Sequence, residues 1–215
     1  MGCGWVATPT DFARIQAIEV VNGGSLALPG GAESAVSGIP FWEARLNAGH
    51  RITAIGGSDN HDASLDPAKP GAIGYPTTVV RAADLSQTAI LEGLRQGHVF
   101  IDVHGSGDRL LEVTAILGGQ TAGMGDQLVA RVGDAMLVQA HVVGVAGGWA
   151  ELRGDGANLA SAPRRRIDAK DQTLSFPVTV DSSARWVRVD VRGPDGRLWL
   201  LGNPVYLAPA PTEAR

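Results

Sequence analysis

At 215 residues, with 44% hydrophobic and 19% charged residues, the chain is typical of a soluble globular protein with room for two modest domains. Its net charge of −4 and its single basic cluster, residues 164–166, argue against nucleic acid as a partner. No apolar run is long enough to span a membrane, no signal peptide is visible, and the single cysteine excludes an intrachain disulfide, so the compartment is left open.

The first half of the chain alternates strand and helix patterns. Short apolar runs with β-branched residues predict strands, and apolar stripes that begin near Pro40 and Ser86 predict helices. Alternation of strand and helix predicts parallel pairing, as in an α/β barrel or sheet. The predicted strands cover residues 14–21, 52–56, 77–80 and 98–103, and the predicted helices cover residues 40–48 and 87–96.

A carboxylate and a histidine follow the strand predicted at 52–56. Two glycines break that strand, and Ser58, Asp59, Asn60 and His61 come directly after them. Because side chains two residues apart in extended backbone point the same way, an oxygen of Asp59 and a ring nitrogen of His61 can bind one metal ion. The same residues also suit an ordinary polar loop whose side chains bond the turn backbone.

Three segments of the first half carry a resemblance to a known superfamily. Gly-Ser-Asp-Asn-His at 57–61, IGYPTTVV at 73–80 and ILEGLRQGHVFI at 90–101 resemble, in order and spacing, the last third of a PHP (polymerase and histidinol phosphatase) domain. Within that superfamily the chain is similar to the carbaryl-esterase-like metallohydrolases, in which a β-sandwich follows the catalytic barrel. The resemblance covers residues 15–103 most strongly.

This resemblance implies a metal-dependent hydrolase that acts on a phosphoester, another ester or an amide through metal-activated water. Asp59 and His61 would be ligands of a divalent ion (Zn, Mn or Fe), and the loop over 62–75 would flank a small-molecule substrate. Glu19 and Asn22 at the end of the first strand, and Ser58 and Asn60 beside the ligands, are expected to support the site without binding the ion. Glu19 lies within an apolar strand, so its carboxylate should face a polar site or an exposed edge.

A complete site of that superfamily contains a His-x-His motif and further His and Glu ligands. The chain has no His-x-His, and His50 is the only histidine that precedes Asp59. Because two ligands hold an ion weakly, the chain alone is expected to bind metal weakly or not at all and to be inactive. It would be the C-terminal portion of such a hydrolase, truncated or degenerate, and its incomplete barrel would favour self-association. The alternative is a non-catalytic binding or interaction module.

Beyond His104 the helical period disappears and short alternating strands take over. The predicted boundary divides residues 1–104 from a sandwich over 108–208, with a tail over 209–215. The expected fold class is α/β plus all-β: an incomplete PHP-type (β/α) barrel followed by an immunoglobulin-like antiparallel β-sandwich.

Eight strands without a helix of more than two turns are predicted for the sandwich. Gly-Pro-Asp-Gly at 193–196 predicts a hairpin between two of them. The alternating arginines of the run 185–192 are predicted on the solvent face, and His141 is predicted as a satisfied core or edge histidine. The predicted strands cover residues 111–117, 127–132, 135–143, 149–153, 173–180, 186–192, 198–201 and 205–207.

Overall fold

The computed structural model describes residues 10–155, 159 and 162–210. The fold is mostly β, with 40% strand and 15% helix, and one of its sheets curls into a half-barrel. The described strands form sheets of two, eight and four strands. The β-rich part of the expected fold class is therefore confirmed. Of the helices described here, none is long and apolar enough to cross a membrane.

The first part of the chain contains the helices α1 to α3 and the strands β1 to β4. The predicted strands and helices are all present, within a few residues of the expected bounds, whereas α1 and two short 3-10 helices were not predicted. The elements are a 3-10 helix at Phe12–Arg14, β1 Ala17–Asn22, α1 Gly23–Leu26, a 3-10 helix at Gly31–Glu33, α2 Ile39–Asn47, β2 Thr53–Gly57, β3 Thr77–Val80, α3 Gln87–Gln96 and β4 Val99–Asp102.

The second part consists of strands, and no helix occurs within 108–155 or 162–208. All eight predicted strands are present, and two short ones, β6 and β10, are additional. The strands are β5 Leu110–Leu117, β6 Gln120–Gly123, β7 Gln127–Ala130, β8 Ala135–Val143, β9 Trp149–Gly154, β10 Arg165–Arg166, β11 Asp171–Thr179, β12 Trp186–Arg192, β13 Leu198–Gly202 and β14 Val205–Pro209.

The strands β1 and β2 pair in parallel and form the two-stranded sheet. Glu19 lies opposite Ile55, and Asn22 lies opposite Gly57. The parallel pairing predicted for this pair is confirmed. It places the carboxyl ends of both strands at one edge, next to the residues predicted to bind metal.

Parallel pairing was also predicted for the second strand–helix–strand unit, but its strands are antiparallel. β3 and β4 are antiparallel neighbours, with Val80 opposite Val99 and Thr77 opposite Asp102. The Arg81 backbone N–H donates to the His98 carbonyl at 2.9 Å, so the segment that contains α3 leaves and re-enters the sheet at one end. The prediction is wrong because α3 lies within a long hairpin connection and does not carry the chain across the sheet.

The eight-stranded sheet extends across the predicted boundary at residue 104. Its order is β10-β9-β12-β13-β4-β3, with β14 pairing with both β12 and β7. β4 from the first part pairs with β13 from the second, with Ile101 opposite Leu201. Most pairs are antiparallel as expected, but β7 and β14 are parallel, with Tyr206 opposite Gln127.

Both faces of the eight-stranded sheet pack against other parts of the chain. One face packs against the four-stranded sheet (β11-β8-β5-β6) and forms the larger core. The other face packs against β1, β2 and α2 and forms a second core. The members of the second core that come from the second part of the chain are Trp186, Leu198, Leu201 and Tyr206.

Arg188 is buried in this second interface, so its predicted place on the solvent face is wrong. Two of its nitrogens donate to the Asp190 carboxylate at 2.9 and 3.0 Å, and Nη2 also donates to Glu43 at 2.7 Å. The guanidinium lies 5.0 Å from the Trp42 ring and 5.3 Å from the Trp186 ring. Burial opposes the charge, but Asp190 and Glu43 outweigh it and raise the pKa of Arg188. The alternation along β12 could not reveal that α2 covers this face.

Side chains bond the edge of β2 that faces away from β1. The Asn203 amide accepts from the Ala54 N–H at 2.7 Å and donates to the carbonyls of Ala54 and Val99. The Thr78 hydroxyl accepts from the Gly56 N–H at 2.9 Å and donates to the Gly56 carbonyl at 2.6 Å. These two side chains take the place of a neighbouring strand and hold β2 beside the eight-stranded sheet.

Candidate functional site

The candidate site lies at the carboxyl ends of β1 and β2. Asn22, the last residue of β1, donates from its side-chain amide to Glu19 Oε1 at 2.7 Å. Its own Oδ1 accepts from the Gly24 N–H at 2.6 Å and caps α1. Glu19 also passes over β2, because its Oε2 would lie only 3.1 Å from a Cβ placed on Gly57. The register of the parallel strands thus brings Glu19 and Asn22 next to the turn that follows β2.

Asp59 and His61 lie just beyond β2, and their side chains meet. His61 Nε2 and Asp59 Oδ1 are 3.1 Å apart. Asp59 adopts a φ of 50°, a left-handed conformation that aspartate tolerates better than most residues. Both side chains are more than half exposed, so they are accessible to an ion or a substrate from solvent.

A cavity of about 660 Å³ opens beside this pair. Glu19, Asn22 and Asp59 line it, and His61 reaches Asp59 from beside it. The cavity also has an apolar rim, where Leu28 and Val36 are about half exposed. The site therefore combines two carboxylates and an amide with an apolar surface.

Ser58 and Asn60 shape the loop and do not extend the cavity. The Ser58 carbonyl would lie 2.2 Å from a Cβ on Gly23, so the turn after β2 can approach α1 this closely only where residue 23 has no side chain. The Asn60 amide donates to the Gly71 carbonyl at 2.7 Å, and its Oδ1 accepts from the Asp62 N–H at 3.1 Å. Asn60 therefore fixes the turn that carries Asp59 and His61.

The donor set suits a divalent cation only in part. A carboxylate oxygen and an imidazole nitrogen, next to a further carboxylate on Glu19, are suitable ligands for Zn²⁺, Mn²⁺ or Fe²⁺. Within residues 10–155, 159 and 162–210, however, no group of three or more His, Cys, Asp or Glu side chains is close enough to hold a metal ion. An ion bound by Asp59 and His61 would replace their direct contact and would need water or further ligands.

The sequence did not indicate the apolar rim. Leu28 and Val36 come from the Gly/Ser/Ala/Pro-rich segment between α1 and α2, in which no periodic pattern singles them out. The loop over 62–75, which was expected to flank the substrate, contributes no lining residue to this cavity. The wall opposite β2 is formed by the earlier segment because the chain returns to β1 there: the Gly38 N–H donates to the Val20 carbonyl at 3.1 Å.

Comparison with known proteins adds no relatives to this picture. The chain matches none of the protein-family models, and no curated protein matches it either. The resemblance to PHP domains therefore depends on the order and spacing of the motifs within residues 15–103.

Proposed function

We propose that the chain is the C-terminal portion of a metal-dependent hydrolase of the PHP type, with an incomplete barrel followed by an immunoglobulin-like sandwich. In this proposal Asp59 and His61 would hold one divalent ion, which would supply activated water for the hydrolysis of a phosphoester or another ester. Glu19 and Asn22, which line the cavity, would orient the substrate from β1. The alternative, a non-catalytic binding module, shares the fold and differs in having no metal-dependent turnover.

The contact between His61 Nε2 and Asp59 Oδ1 is the observation that carries this proposal. It joins two good metal donors at the carboxyl end of a parallel strand, where α/β proteins position catalytic groups. The neighbouring cavity is large enough for a small-molecule ester, and its carboxylates and apolar rim would contact different parts of that substrate.

Weak metal binding and an exposed barrel edge follow from the same arrangement. Two protein ligands hold an ion less tightly than the three or four of a complete site. β1 pairs only with β2 among the described strands, and on its other side the Val20 carbonyl accepts from the Gly38 N–H, so the part of that edge away from Val20 is available to a second copy of the chain. We therefore expect self-association, and negligible hydrolysis by the chain alone.

The first prediction concerns metal binding at Asp59 and His61. Titration with Mn²⁺, followed by electron paramagnetic resonance, should show one weak site, and Asp59→Asn or His61→Ala should weaken it by about tenfold or more. Asp62→Asn is the matched control, because the Asp62 carboxylate bonds Ser64 and does not face the cavity. Equal Mn²⁺ affinity in all variants would contradict the ligand assignment.

Turnover separates the hydrolase proposal from the binding-module alternative. An aryl ester and a generic phosphoester are assayed at saturating Mn²⁺ or Zn²⁺, with the chain alone and with a version extended upstream. We expect turnover only from the extended version, and its loss in Asp59→Asn and His61→Ala. Turnover by neither version would support the binding module, and turnover by the short chain would show that two ligands suffice.

A further inference from the structure

A second cavity, of about 280 Å³, lies between the eight-stranded and the four-stranded sheet and shares no residue with the cavity beside Asp59. β3 borders it on one side, and the first half of β5 borders it on the other. Phe100, Leu111 and Val113 also line it, and all three belong to the larger core. Val79, Val80, Leu110 and Met124 complete the apolar lining. The cavity is therefore an apolar recess that reaches the interior of the sandwich.

Two strand edges are open where they border this cavity. Among the described strands, β3 pairs only with β4. β5 pairs with β6 only over residues 114–117, so residues 110–113 have a strand partner on one side alone, β8. Main-chain N–H and C=O groups on these edges lack a strand partner and can bond a ligand that enters between the sheets.

The polar residues of this cavity leave one cation without a carboxylate. His98 Nε2 pairs with Asp126 Oδ1 at 3.1 Å. Glu112 pairs with His141 Nδ1 at 3.2 Å. Arg81, by contrast, is exposed, and no carboxylate among the described residues lies within ion-pair distance of its guanidinium. Of the charged side chains that line the cavity, Glu112 is engaged by His141, which also contacts Asp171, and Arg81 is the cation that faces no carboxylate of the described residues.

We propose that this cavity binds a small amphipathic carboxylic acid, with its apolar body against Phe100 and its neighbours and its carboxylate on Arg81. A guanidinium binds a carboxylate through two parallel hydrogen bonds. The volume lies just below the range for drug-sized ligands, which favours a body of a few carbons to one aromatic ring.

Octanoate and octanol are the probes, because they share the apolar chain and differ in the acid group. Isothermal titration calorimetry with the full chain should show one octanoate site and about tenfold weaker binding of octanol. Arg81→Gln should weaken octanoate binding about tenfold and leave octanol unchanged. Arg131→Gln is the matched control, since Arg131 is also exposed and lies outside this cavity.

Val79→Phe provides a second variant, which fills the cavity from an incompletely buried position. It should abolish the binding of both probes while the circular dichroism spectrum stays native. If Val79→Phe fails to fold, Arg81→Gln still decides, because its side chain is exposed. Absence of octanoate binding up to about 10 mM would overturn the proposal. Equal binding of octanoate by wild type and Arg81→Gln would also overturn it.

Discussion

Asn203 is the residue on which the attachment of β2 depends most. Its side chain is buried, and it supplies three hydrogen bonds that a neighbouring strand would otherwise provide. Removing the side chain leaves the N–H and carbonyl of Ala54 without these partners, whereas the Val99 carbonyl keeps its bond from the backbone N–H of residue 203 at 3.3 Å. An unsatisfied buried backbone group costs about 1–3 kcal/mol.

We predict that Asn203→Ala lowers the free energy of unfolding by about 2–5 kcal/mol, measured by urea denaturation. Gln87→Ala, which shortens an exposed amide at the start of α3, should change it by no more than about 0.5 kcal/mol. Similar values for the two variants would show that water replaces the Asn203 amide and that β2 is held by packing alone.

The contacts of His141 on the outer face of the four-stranded sheet should make the stability of the protein depend on pH. Its two ring nitrogens contact Glu112 at 3.2 Å and Asp171 at 2.8 Å, and so link β5, β8 and β11. The hydrogen bond to Glu112 and then that to Asp171 raise the pKa of His141 above its usual 6.5. A raised folded-state pKa means that the stabilisation is fully present below pH 6.5 and is lost as the pH rises through the folded-state value.

We predict that His141→Gln destabilises the protein at pH 5.5 and has a much smaller effect at pH 8.5. At pH 5.5 the free energy of unfolding of the variant should lie below that of the wild type by less than about 1 kcal/mol. The three side chains are substantially exposed, so solvent screens their charges. Thermal melts of wild type and variant at the two pH values measure this difference. High salt should reduce the low-pH difference, and a difference independent of pH would contradict the ion-pair account.

Local sequence predicted the positions of Asp59 and His61 better than it predicted the burial of a charged side chain. The spacing of Asp59 and His61 after a glycine-broken strand was enough to place them beyond β2, because both features are local. The burial of Arg188 was missed because it depends on α2, which is distant in sequence. The sequence did contain a signal for this burial, since Trp186, Arg188 and Asp190 alternate along β12 and so lie on one face of it. An Arg–Asp pair beside a tryptophan is compatible with a face that another element covers.

At the scale of elements, strand positions were easier to predict than strand partners. The hairpin at 193–196 was predicted correctly, since Gly-Pro-Asp-Gly specifies a turn and β12 pairs antiparallel with β13. The direction of β4 relative to β3 depends on how an 18-residue connection returns to the sheet, which no local pattern records. β6 was missed because Gln120–Gly123 is short, half exposed and without β-branched enrichment.

β2 is joined to β3 and β4 by side chains and not by main-chain pairing. The parallel pair β1–β2 ends against Asn203 and Thr78, and β3 and β4 continue on the far side within the eight-stranded sheet. A substitution of Asn203, in the second part of the chain, should therefore disturb the position of β2 and of the candidate site at its end. This coupling follows from the fold whether the chain is a hydrolase or a binding module.

At the scale of the whole molecule, the two parts share a sheet and a core. β4 pairs with β13, and Leu198 and Leu201 pack against residues of β1, β2 and α2. Ion pairs cross the same interface: Glu33 binds Arg192 through two bonds of 2.8 Å, and Arg192 lowers the pKa of the Glu33 carboxyl. These contacts argue that both parts unfold together, although their sequence patterns differ.

We predict one cooperative unfolding transition, with the same urea midpoint for peptides from residues 10–103 and 110–210 in hydrogen exchange measured by mass spectrometry. Leu201→Ala should lower the free energy of unfolding by about 2–5 kcal/mol, because it opens a cavity where the two parts meet. Both urea midpoints should therefore fall by the same amount. Val132→Ala, at a largely exposed position, is the control and should leave both midpoints unchanged. If Leu201→Ala lowered only one midpoint, the parts would be independent domains, and the shared sheet would be a docking contact between them.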